Sequence, residues 1–300
     1  MTPRRRAAPG APEGGLIIDK PTGMTSHDVV AAVRRAFGQP RVGHTGTLDP
    51  MATGVLPVLL GRATRLAQFL SSSSKTYLAT IRFGQATSTY DAEGSPVGPA
   101  ADVRLDATEV ESALSRFRGR HQQQPPAVSA KRVGGERAHA LARLSEPVEL
   151  EPVEVEVETL TLLDCREREI DVRVTASAGF YVRSLAHDLG VALGVGGHLS
   201  SLRRERSGRF PLEAALPLGA VLTDPESARA HVIPPVELLP DWPSADLDET
   251  QVWRIQHGQP VDAPDVAEGA ERVRLVGAGG RLVGLAEARG RLLHPFLVLV

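Results

Sequence analysis

The run GHTGTLDPMATG, from Gly43 to Gly54, is the most constraining feature of this chain. It places a single carboxylate, Asp49, between a leucine and a proline in a frame of glycines. Pro50 biases Asp49 towards an extended backbone, and glycines permit close ligand approaches that a side chain would obstruct. An Asp-Pro pair alone is typical of a turn. The whole run, with a histidine five residues before the acid, instead predicts one carboxylate held still at the floor of a cleft.

Composition indicates a globular chain that folds without disulfides. Hydrophobic residues make up 42% of the 300 residues, which is enough to build a core. The one cysteine, Cys165, excludes an internal disulfide and a zinc site built from several cysteines. Arg4–Arg6 are not followed by the apolar run of a signal peptide, and no stretch is long enough to span a membrane. We therefore expect a cytoplasmic protein.

The net charge of −2 conceals a basic segment around the motif. Residues 1–145 carry 19 basic and 11 acidic side chains, whereas the segments at 146–175 and after residue 210 are acidic. Such a chain can bind a polyanion locally although it is nearly neutral overall. Because 31 of the 34 basic residues are arginine, genomic base composition is an alternative explanation for this bias.

The hydrophobic pattern predicts an α+β protein with a small β-rich unit at its C-terminus. Strand and helix patterns follow one another in a mixed order that differs from a repeating βαβ array. The predicted elements are strands at 15–19, 75–83, 153–163 and 170–176, and helices after Thr25, over 62–70, over 107–117 and after Tyr181. The predicted segments are a disordered tail at 1–14, a main domain at 15–210 with an irregular insertion at about 122–150, a linker with some helix at 211–247, and a second domain at 248–300.

Five side chains are the candidates for chemistry, namely Asp49, His44, Tyr77, Tyr181 and Arg183. The chain contains no phosphate-binding glycine loop, dinucleotide fingerprint or metal-ligand motif, so we expect neither a cofactor nor a metal. Burial raises the pKa of a carboxyl group, and an arginine partner reverses that tendency. Arg183 is the predicted partner of Asp49, delivered from a strand end by the preceding glycine turn. The two tyrosines predict stacking surfaces for a planar ligand, whereas either alone is more typical of core packing.

The motif and its neighbours resemble the bacterial TruB family, the tRNA pseudouridine-55 synthases. Further motifs of that family occur in the same order between about residues 15 and 210. They are LIIDKPTG from Leu16, KTY from Lys75, DAEG from Asp91, GFYVRSL from Gly179 and LRR from Leu202. Phe180 and Val182 stand where the family often has threonine and isoleucine, and these apolar changes do not alter the assignment.

The resemblance implies a fold and a reaction. The fold would be an α+β pseudouridine-synthase fold with a mixed, largely antiparallel central sheet flanked by helices. A small C-terminal β-barrel of the PUA type would follow and bind RNA. The reaction would be an isomerisation that detaches uracil from its ribose and rejoins it through carbon 5, at position 55 in the TΨC loop of tRNA. The domain at 15–210 would be catalytic, and the insertion at 122–150 would bind RNA.

The resemblance also assigns roles to individual residues. Asp49 would be the nucleophile and would attack either the sugar or the base. Tyr77 would stack on a flipped-out uracil and assist proton movement, and Arg183 would pair with Asp49. The remaining substrate-binding residues would be Tyr181 and Leu202 at the uracil pocket, His44 where the base leaves its stack, Lys20 at the active-site wall and Asp91 in shaping the cleft.

The expected partner is the TΨC arm of tRNA, and we expect a monomer that needs no protein partner and no membrane. The candidates for phosphate contacts lie in and just before the insertion, and they are Arg118, Arg120, Arg132, Arg137 and Arg143.

Two alternative functions stay open. A non-catalytic tRNA-binding or tRNA-folding protein could use the same scaffold, although the intact candidate residues argue against it. The second alternative is a guide-RNA-dependent pseudouridine synthase, and the long insertion argues against it.

Overall fold

The structure, a computed structural model, describes residues 10–127, 132–133, 136–137, 150–262 and 270–299. The strands are β1 (Gly14–Lys20), β2 (Val42–His44), β3 (Thr53–Leu60), β4 (Lys75–Phe83), β5 (Ala86–Thr87), β6 (Pro96–Val97), β7 (Gly119–Gln123), β8 (Arg132–Val133), β9 (Glu136–Arg137), β10 (Val153–Cys165), β11 (Glu169–Ala176), β12 (Gly197–Ser207), β13 (Phe210–Pro211), β14 (Leu216–Pro217), β15 (Ser244–Asp246), β16 (Val261–Asp262), β17 (Arg272–Gly277), β18 (Arg281–Arg289) and β19 (Leu292–Val298). The α-helices are α1 (Ser26–Ala36), α2 (Ala67–Ser71), α3 (Ala107–Ser115), α4 (Val182–Ala192), α5 (Leu218–Thr223), α6 (Pro225–Arg229) and α7 (Glu249–Gln256).

A large mixed sheet forms the centre of the molecule. Its main path runs β14-β1-β3-β12-β4-β11-β10-β7, with β2 added to β3 and β13 added to β12. The β1–β14 and β3–β12 pairs are parallel, and the other pairs are antiparallel. The predicted α+β class with a mixed, largely antiparallel central sheet is therefore confirmed. The predicted strands at 75–83, 153–163 and 170–176 are confirmed as β4, β10 and β11, and the last two pair with each other.

Local sequence signals account for the helices that flank this sheet. Helix α1 begins with a capping box, in which Thr25 caps the backbone of Asp28 and the Asp28 side chain returns to the Thr25 backbone. Its buried face, which includes Val29 and Val33, packs into the main core. The predicted helix at 62–70 is a 3₁₀ turn over Gly61–Leu66 followed by α2.

The segment at 211–247 is joined closely to the central sheet. Strand β14 pairs in parallel with β1, with Ile18 opposite Leu216. Leu218 and Val221 of helix α5 belong to the same buried core as β1 and helix α1. The boundaries predicted for this linker remain predictions, and the structure adds that the segment completes one edge of the main sheet.

A second sheet of five strands, in the order β15-β17-β18-β19-β16, forms the curled C-terminal unit. A shared apolar core joins it to the central sheet, because Val55 and Leu59 of β3 belong to the same buried cluster as Leu285 and Leu297. Strand β3 is therefore buried on both faces, since Leu56 and Val58 point into the main core. Arg62 strengthens the contact by donating from Nη1 to the Leu299 carbonyl at 3.1 Å.

Several predictions fall on residues outside the described ranges. Residues 1–9 of the predicted tail, most of the insertion and Arg143 are among them. Arg132 and Arg137 are described by their backbone, which pairs in the two short strands β8 and β9. No helix in the described part of the chain has the length and apolar character needed to cross a membrane.

Candidate active site

Asp49 lies in the loop between β2 and β3, and a buried serine holds the backbone beside it. Ser26, at the start of α1, is 1% exposed. Its hydroxyl accepts a hydrogen bond from the Leu48 N–H at 2.8 Å and donates to the Leu48 carbonyl at 3.1 Å. The first turn of α1 therefore fixes the residue that precedes the acid. The sequence marks Ser26 only as a position in the capping box, and this second contact depends on the tertiary fold.

Lys20, the last residue of β1, contacts the backbone of the same loop. Its ammonium is fully buried and donates to the carbonyls of Pro21 at 2.8 Å, Pro50 at 3.3 Å and Ala52 at 2.6 Å. Burial lowers the pKa of Lys20 to about 8, while the nearby charge of Asp49 acts in the opposite direction. The structure thus places Lys20 against the backbone that carries Asp49, outside the cleft lining.

Arg183 forms an ion pair with Asp49. Nε of Arg183 lies 3.0 Å from Oδ2 of Asp49, and Nη2 donates to Oδ1 at 3.4 Å. The arginine side chain is 7% exposed and the aspartate side chain 34% exposed. A planar guanidinium that bonds both carboxylate oxygens fixes the orientation of the acid as well as compensating its charge.

The expectation that a strand end delivers Arg183 is wrong. Arg183 is the second residue of α4, which begins after an extended Tyr181 at the N-cap. Gly179 has a φ of +91°, which lets the chain reverse before the helix. The first helical turn then directs the arginine inward, because the whole turn from Val182 is buried. A buried helix N-terminus, rather than a strand end, places this charge.

A second carboxylate holds the far side of the same guanidinium. Asp91, whose side chain is 5% exposed, lies 3.5 Å from Nη1 of Arg183, and that nitrogen also donates to the Thr89 carbonyl at 3.1 Å. Asp91 in turn accepts from the Thr89 hydroxyl at 2.5 Å and from the Glu93 N–H at 3.1 Å. Asp91 therefore orients Arg183 towards Asp49 from outside the cleft.

The residue between Thr89 and Asp91 in the sequence, Tyr90, has an unusual backbone conformation. Tyr90 has a φ of +65°, in the left-handed region that side chains disfavour. Its ring stacks on His187 of α4, with centroids 3.9 Å apart and planes 12° apart. Burial lowers the pKa of His187 and raises the pKa of Tyr90. The stack joins the Thr89–Asp91 turn to the helix that carries Arg183, and sequence patterns give no sign of it.

Five of the predicted site residues, Asp49, Tyr77, Tyr181, Arg183 and Leu202, line one cleft of about 120 Å³. Its lining is made of Thr47, Leu48, Asp49, Tyr77, Phe180, Tyr181, Val182, Arg183 and Leu202. Neighbouring strands supply two of these residues, since β4 carries Tyr77 and β12 carries Leu202. Both lining tyrosines are half-buried. The carboxyl group of Asp49, its arginine partner and two aromatic rings therefore share one small concave surface, which suits a planar ligand.

His44 is outside this lining, at the end of β2. Its Nδ1 accepts a hydrogen bond from the Gly46 N–H at 3.2 Å. The imidazole of His27 meets it edge to face, with ring centroids 5.5 Å apart. His44 thus orders the start of the loop that leads to Asp49, and three predicted residues, His44, Lys20 and Asp91, surround the cleft rather than line it.

The contact between Gly54 and Arg204 explains why the motif ends in a glycine. Gly54 has a φ of +97°, and a Cβ placed on it would lie 2.2 Å from the carbonyl oxygen of Arg204. At this position the close approach is made by strand β12 and not by a ligand. Arg204 is 1% exposed and donates to the carbonyls of Val55 at 2.7 Å and Gly46 at 3.2 Å. Its side chain therefore ties the backbone on both sides of Asp49 to β12.

The two described arginines before the insertion differ in their surroundings. Arg118 pairs with Glu111 at 2.6 Å and also donates to the Leu160 carbonyl, so its guanidinium is used within the fold. Arg120 is 72% exposed and pairs with Glu156 at 3.1 Å on the sheet surface. Within the described residues, no group of three or more histidine, cysteine, aspartate or glutamate side chains has the arrangement of a metal site.

Models of one protein family match most of the chain in three consecutive parts. The model described as TruB family pseudouridylate synthase, N-terminal domain, matches residues 34–182. Residues 183–239 match a tRNA pseudouridylate synthase B C-terminal domain, and residues 243–297 match a pseudouridine synthase II TruB C-terminal model.

Curated relatives and solved structures agree with these matches. The tRNA pseudouridine synthase B of Solibacter usitatus is 46% identical over 292 residues, covering 96% of this chain and 100% of that relative. The protein of the same name from Burkholderia mallei is 41% identical, covering 100% of this chain and 98% of its own. A chain from the structure of an H/ACA RNP bound to a substrate RNA containing 2′-deoxyuridine is 26% identical with a TM-score of 0.72, covering 96% of this chain and 85% of that chain. This likeness confirms the predicted pseudouridine-synthase fold.

Proposed function

This chain belongs to the TruB family of pseudouridylate synthases, and on that premise we propose that its cleft isomerises the uridine at position 55 in the TΨC loop of tRNA. The curated relatives that share 41% to 46% of its sequence are named tRNA pseudouridine synthases. The chain is an isomerase of that kind, which converts uridine to pseudouridine in tRNA. The position of the target base and the role of Asp49 are the parts that we propose.

The ion pair between Arg183 and Asp49 is the observation that carries this proposal. It lies in a cleft that also contains Tyr77, Tyr181 and Leu202. The acid is partly open to the cleft while the arginine is buried behind it, so the carboxylate can meet a ligand without losing its partner. A preorganised charge of this kind needs little rearrangement when the reaction begins.

The reaction can be balanced with side chains alone. The bond from ribose C1′ to N1 of uracil breaks, and a bond from C1′ to C5 forms. C5 loses its proton and N1 gains one, so atoms and electrons are conserved without an oxidant. We propose Asp49 as the nucleophile that assists detachment, with attack at the sugar or at the base. Tyr77 would stack on the uracil and assist the movement of its proton.

The remaining site residues would bind and orient the base. Tyr181 and Leu202 would enclose the uracil, and His44 would contact the RNA where the base leaves its stack. Lys20 and Asp91 would act through the positions of the Asp49 loop and of Arg183. Flipping a base out of folded RNA costs a few kcal/mol, and stacking on one aromatic ring returns about 1–3 kcal/mol, so Tyr77 would offset much of that cost.

The RNA contacts outside the cleft belong to the same proposal. We propose that the insertion and the C-terminal unit, as a PUA-type domain, hold the TΨC arm, and that the enzyme acts as a cytoplasmic monomer without a protein partner. Of the two arginines before the insertion, Arg120 is the stronger candidate for a phosphate contact. Its side chain is exposed, whereas the guanidinium of Arg118 is hydrogen-bonded to the Leu160 carbonyl. Replacing Arg120 and Arg132 with glutamine should lower the salt slope of tRNA binding by roughly 1–2. Arg118→Gln is the matched control and should leave the slope unchanged.

Release of tritium from tRNA labelled at C5 of uridine tests the reaction directly. The purified chain, with tRNA and no other protein or guide RNA, should release tritium, and Asp49→Asn should reduce release by at least about 10³-fold. Asp102→Asn is the control, since Asp102 is highly exposed and distant in sequence from the motif. Full release by the Asp49 variant would exclude it as nucleophile. A folded wild type that binds tRNA but releases no tritium would instead support the alternative of a tRNA-folding protein.

A further inference from the structure

Gln123, the last residue of β7, makes two hydrogen bonds to the backbone of a single cleft residue. Its Oε1 accepts from the Tyr181 N–H at 2.8 Å, and its Nε2 donates to the Tyr181 carbonyl at 3.0 Å. The side chain is 4% exposed. A primary amide is suited to this contact because it carries an acceptor and a donor side by side. Gln123 thus pairs with Tyr181 as a neighbouring strand would.

The contact falls at the point where α4 begins. Tyr181 is the N-cap residue of this helix, and its side chain does not make a capping hydrogen bond to the helix backbone. Its carbonyl also accepts the first helical bond, from the Leu185 N–H at 3.2 Å. Gln123 therefore fixes both the N–H and the C=O of the residue from which the helix starts, and Arg183 follows two residues later.

A second bond joins the same two segments. The Ser184 hydroxyl donates to the Gln124 carbonyl at 2.7 Å, and the Gln124 side chain donates to the Leu150 carbonyl at 2.6 Å. The end of β7 is therefore attached to the first turn of α4 at two successive residues. Gln122, by contrast, is exposed and pairs through its backbone with Glu154 of β10.

We propose that Gln123 is a positioning residue for the isomerisation, acting through Tyr181 and Arg183 on the orientation of Asp49. This inference rests on the proposed function. Tyr181 lines the cleft, and Arg183 bonds both oxygens of the acid, so a small rotation of the first turn of α4 would displace both groups together. Because errors of about 1 Å in such groups reduce rates by up to roughly 100-fold, the loss of Gln123 should affect the chemical step more than RNA binding.

Single-turnover tritium release, measured against enzyme concentration, tests this with Gln123→Met and Gln123→Asn. Methionine removes both hydrogen bonds at similar length, and asparagine keeps the amide but withdraws it by one methylene. Each variant should lower the maximal rate by roughly 10- to 100-fold and change the half-saturating concentration by less than about threefold. Gln68→Met, the same substitution at an exposed position of α2 outside the cleft and the insertion, should behave as the wild type. Because Gln123→Asn disturbs packing little, it keeps the test available if Gln123→Met does not fold.

A double-mutant cycle separates positioning from a general structural role. In an Arg183→Lys background, adding Gln123→Asn should reduce the rate by less than about twofold, because residues that act as a unit are not additive. A full multiplicative loss there, an unchanged rate in the folded single variants, or a loss confined to the half-saturating concentration would each overturn the proposal. Activity of Asp49→Asn would instead overturn the proposed function, so the two failures are distinguishable.

Discussion

Nε of Arg183 lies 3.0 Å from Oδ2 of Asp49, with the arginine side chain 7% exposed and the aspartate side chain 34% exposed. This difference in exposure means that the guanidinium is buried in the protein interior, whereas the carboxyl group faces the cleft. Asp91 and the Thr89 carbonyl bind the other end of the guanidinium, which prevents the arginine from following the acid into solvent. The pair is therefore a fixed charge arrangement that presents one carboxylate to a ligand.

The shape of the guanidinium, and not only its charge, should be required. Arg183→Lys keeps a cation but replaces the three donor nitrogens of the planar guanidinium with one nitrogen, so it cannot reproduce the geometry of the bonds to both carboxylate oxygens and to the Thr89 carbonyl. We expect the rate of tritium release to fall about 10²-fold, with the protein still folded by circular dichroism. Arg173→Lys, which changes an exposed pair with Glu205, is the control and should remain within about twofold of the wild type. A wild-type rate in Arg183→Lys would show that the geometry of the pair is dispensable.

The close approach of β12 to the motif predicts a large effect at Gly54. Gly54→Ala would combine a positive φ with a Cβ 2.2 Å from the Arg204 carbonyl oxygen, so β3 and β12 would have to separate. The free energy of unfolding in urea should fall by about 3 kcal/mol or more. Gly219→Ala is the matched control, because nothing lies within 4 Å of its Cβ position in α5 and it should stabilise the protein by about 0.5–1 kcal/mol. Equal stability of the two variants would contradict this account.

The buried ammonium of Lys20 predicts a pH dependence of stability. Burial lowers the pKa of Lys20 to about 8 from its ordinary value of 10.5. Between these two values the unfolded chain binds more protons than the folded one, so this residue makes stability rise with pH through that window. The difference in unfolding free energy between the wild type and Lys20→Met should therefore grow by up to about 1.4 kcal/mol per pH unit from pH 8 to 10. Urea unfolding at several pH values measures it, and a constant difference would refute the assignment.

Removal of the C-terminal unit should affect stability more than chemistry. The cleft residues all precede residue 203, but Val55 and Leu59 share a core with Leu285 and Leu297. A chain lacking residues 248–300 should retain measurable isomerisation while unfolding at a lower temperature, because this face of β3 becomes exposed. Leu285→Ala in the full chain should lower stability by about 2–4 kcal/mol and leave the rate unchanged. Complete loss of activity in a folded truncation would assign the unit a direct part in the reaction.

Much of the site could be predicted from the sequence because its residues lie in short, distinctive motifs. Asp49 and its proline, the tyrosine of β4 and the glycine turn before Arg183 are all recognisable within a few residues. The structure brings Asp49, Tyr77, Tyr181, Arg183 and Leu202 to one cleft. The roles of these residues in the reaction stay predictions until the proposed variants are measured. The sequence predicts the helix after Tyr181 that contains Arg183, but the burial of its first turn, which directs Arg183 to Asp49, depends on the rest of the fold.

The supporting residues were beyond sequence reasoning for a related reason. Ser26 and Gln123 are common residue types in ordinary local patterns, and each acquires its role from a backbone group far along the chain. The bonds from Gln123 to Tyr181 span 58 residues, and the contact between Ser26 and Leu48 spans 22. No local pattern identifies such a partner.

The amino-acid sequence by itself indicated several of the strands and helices, among them β4, β10, β11 and α1, and the candidate residues for the chemistry, because hydrophobic periodicity, capping and turns act over a few residues. The tertiary structure decided how these parts meet. It paired Asp49 with Arg183 across 134 residues, brought β12 against Gly54 and joined the two sheets through one core. These contacts form only when distant segments are buried against one another. In that interior an unpaired polar group or an added carbon atom costs free energy, and the segments meet there only once the whole chain has folded.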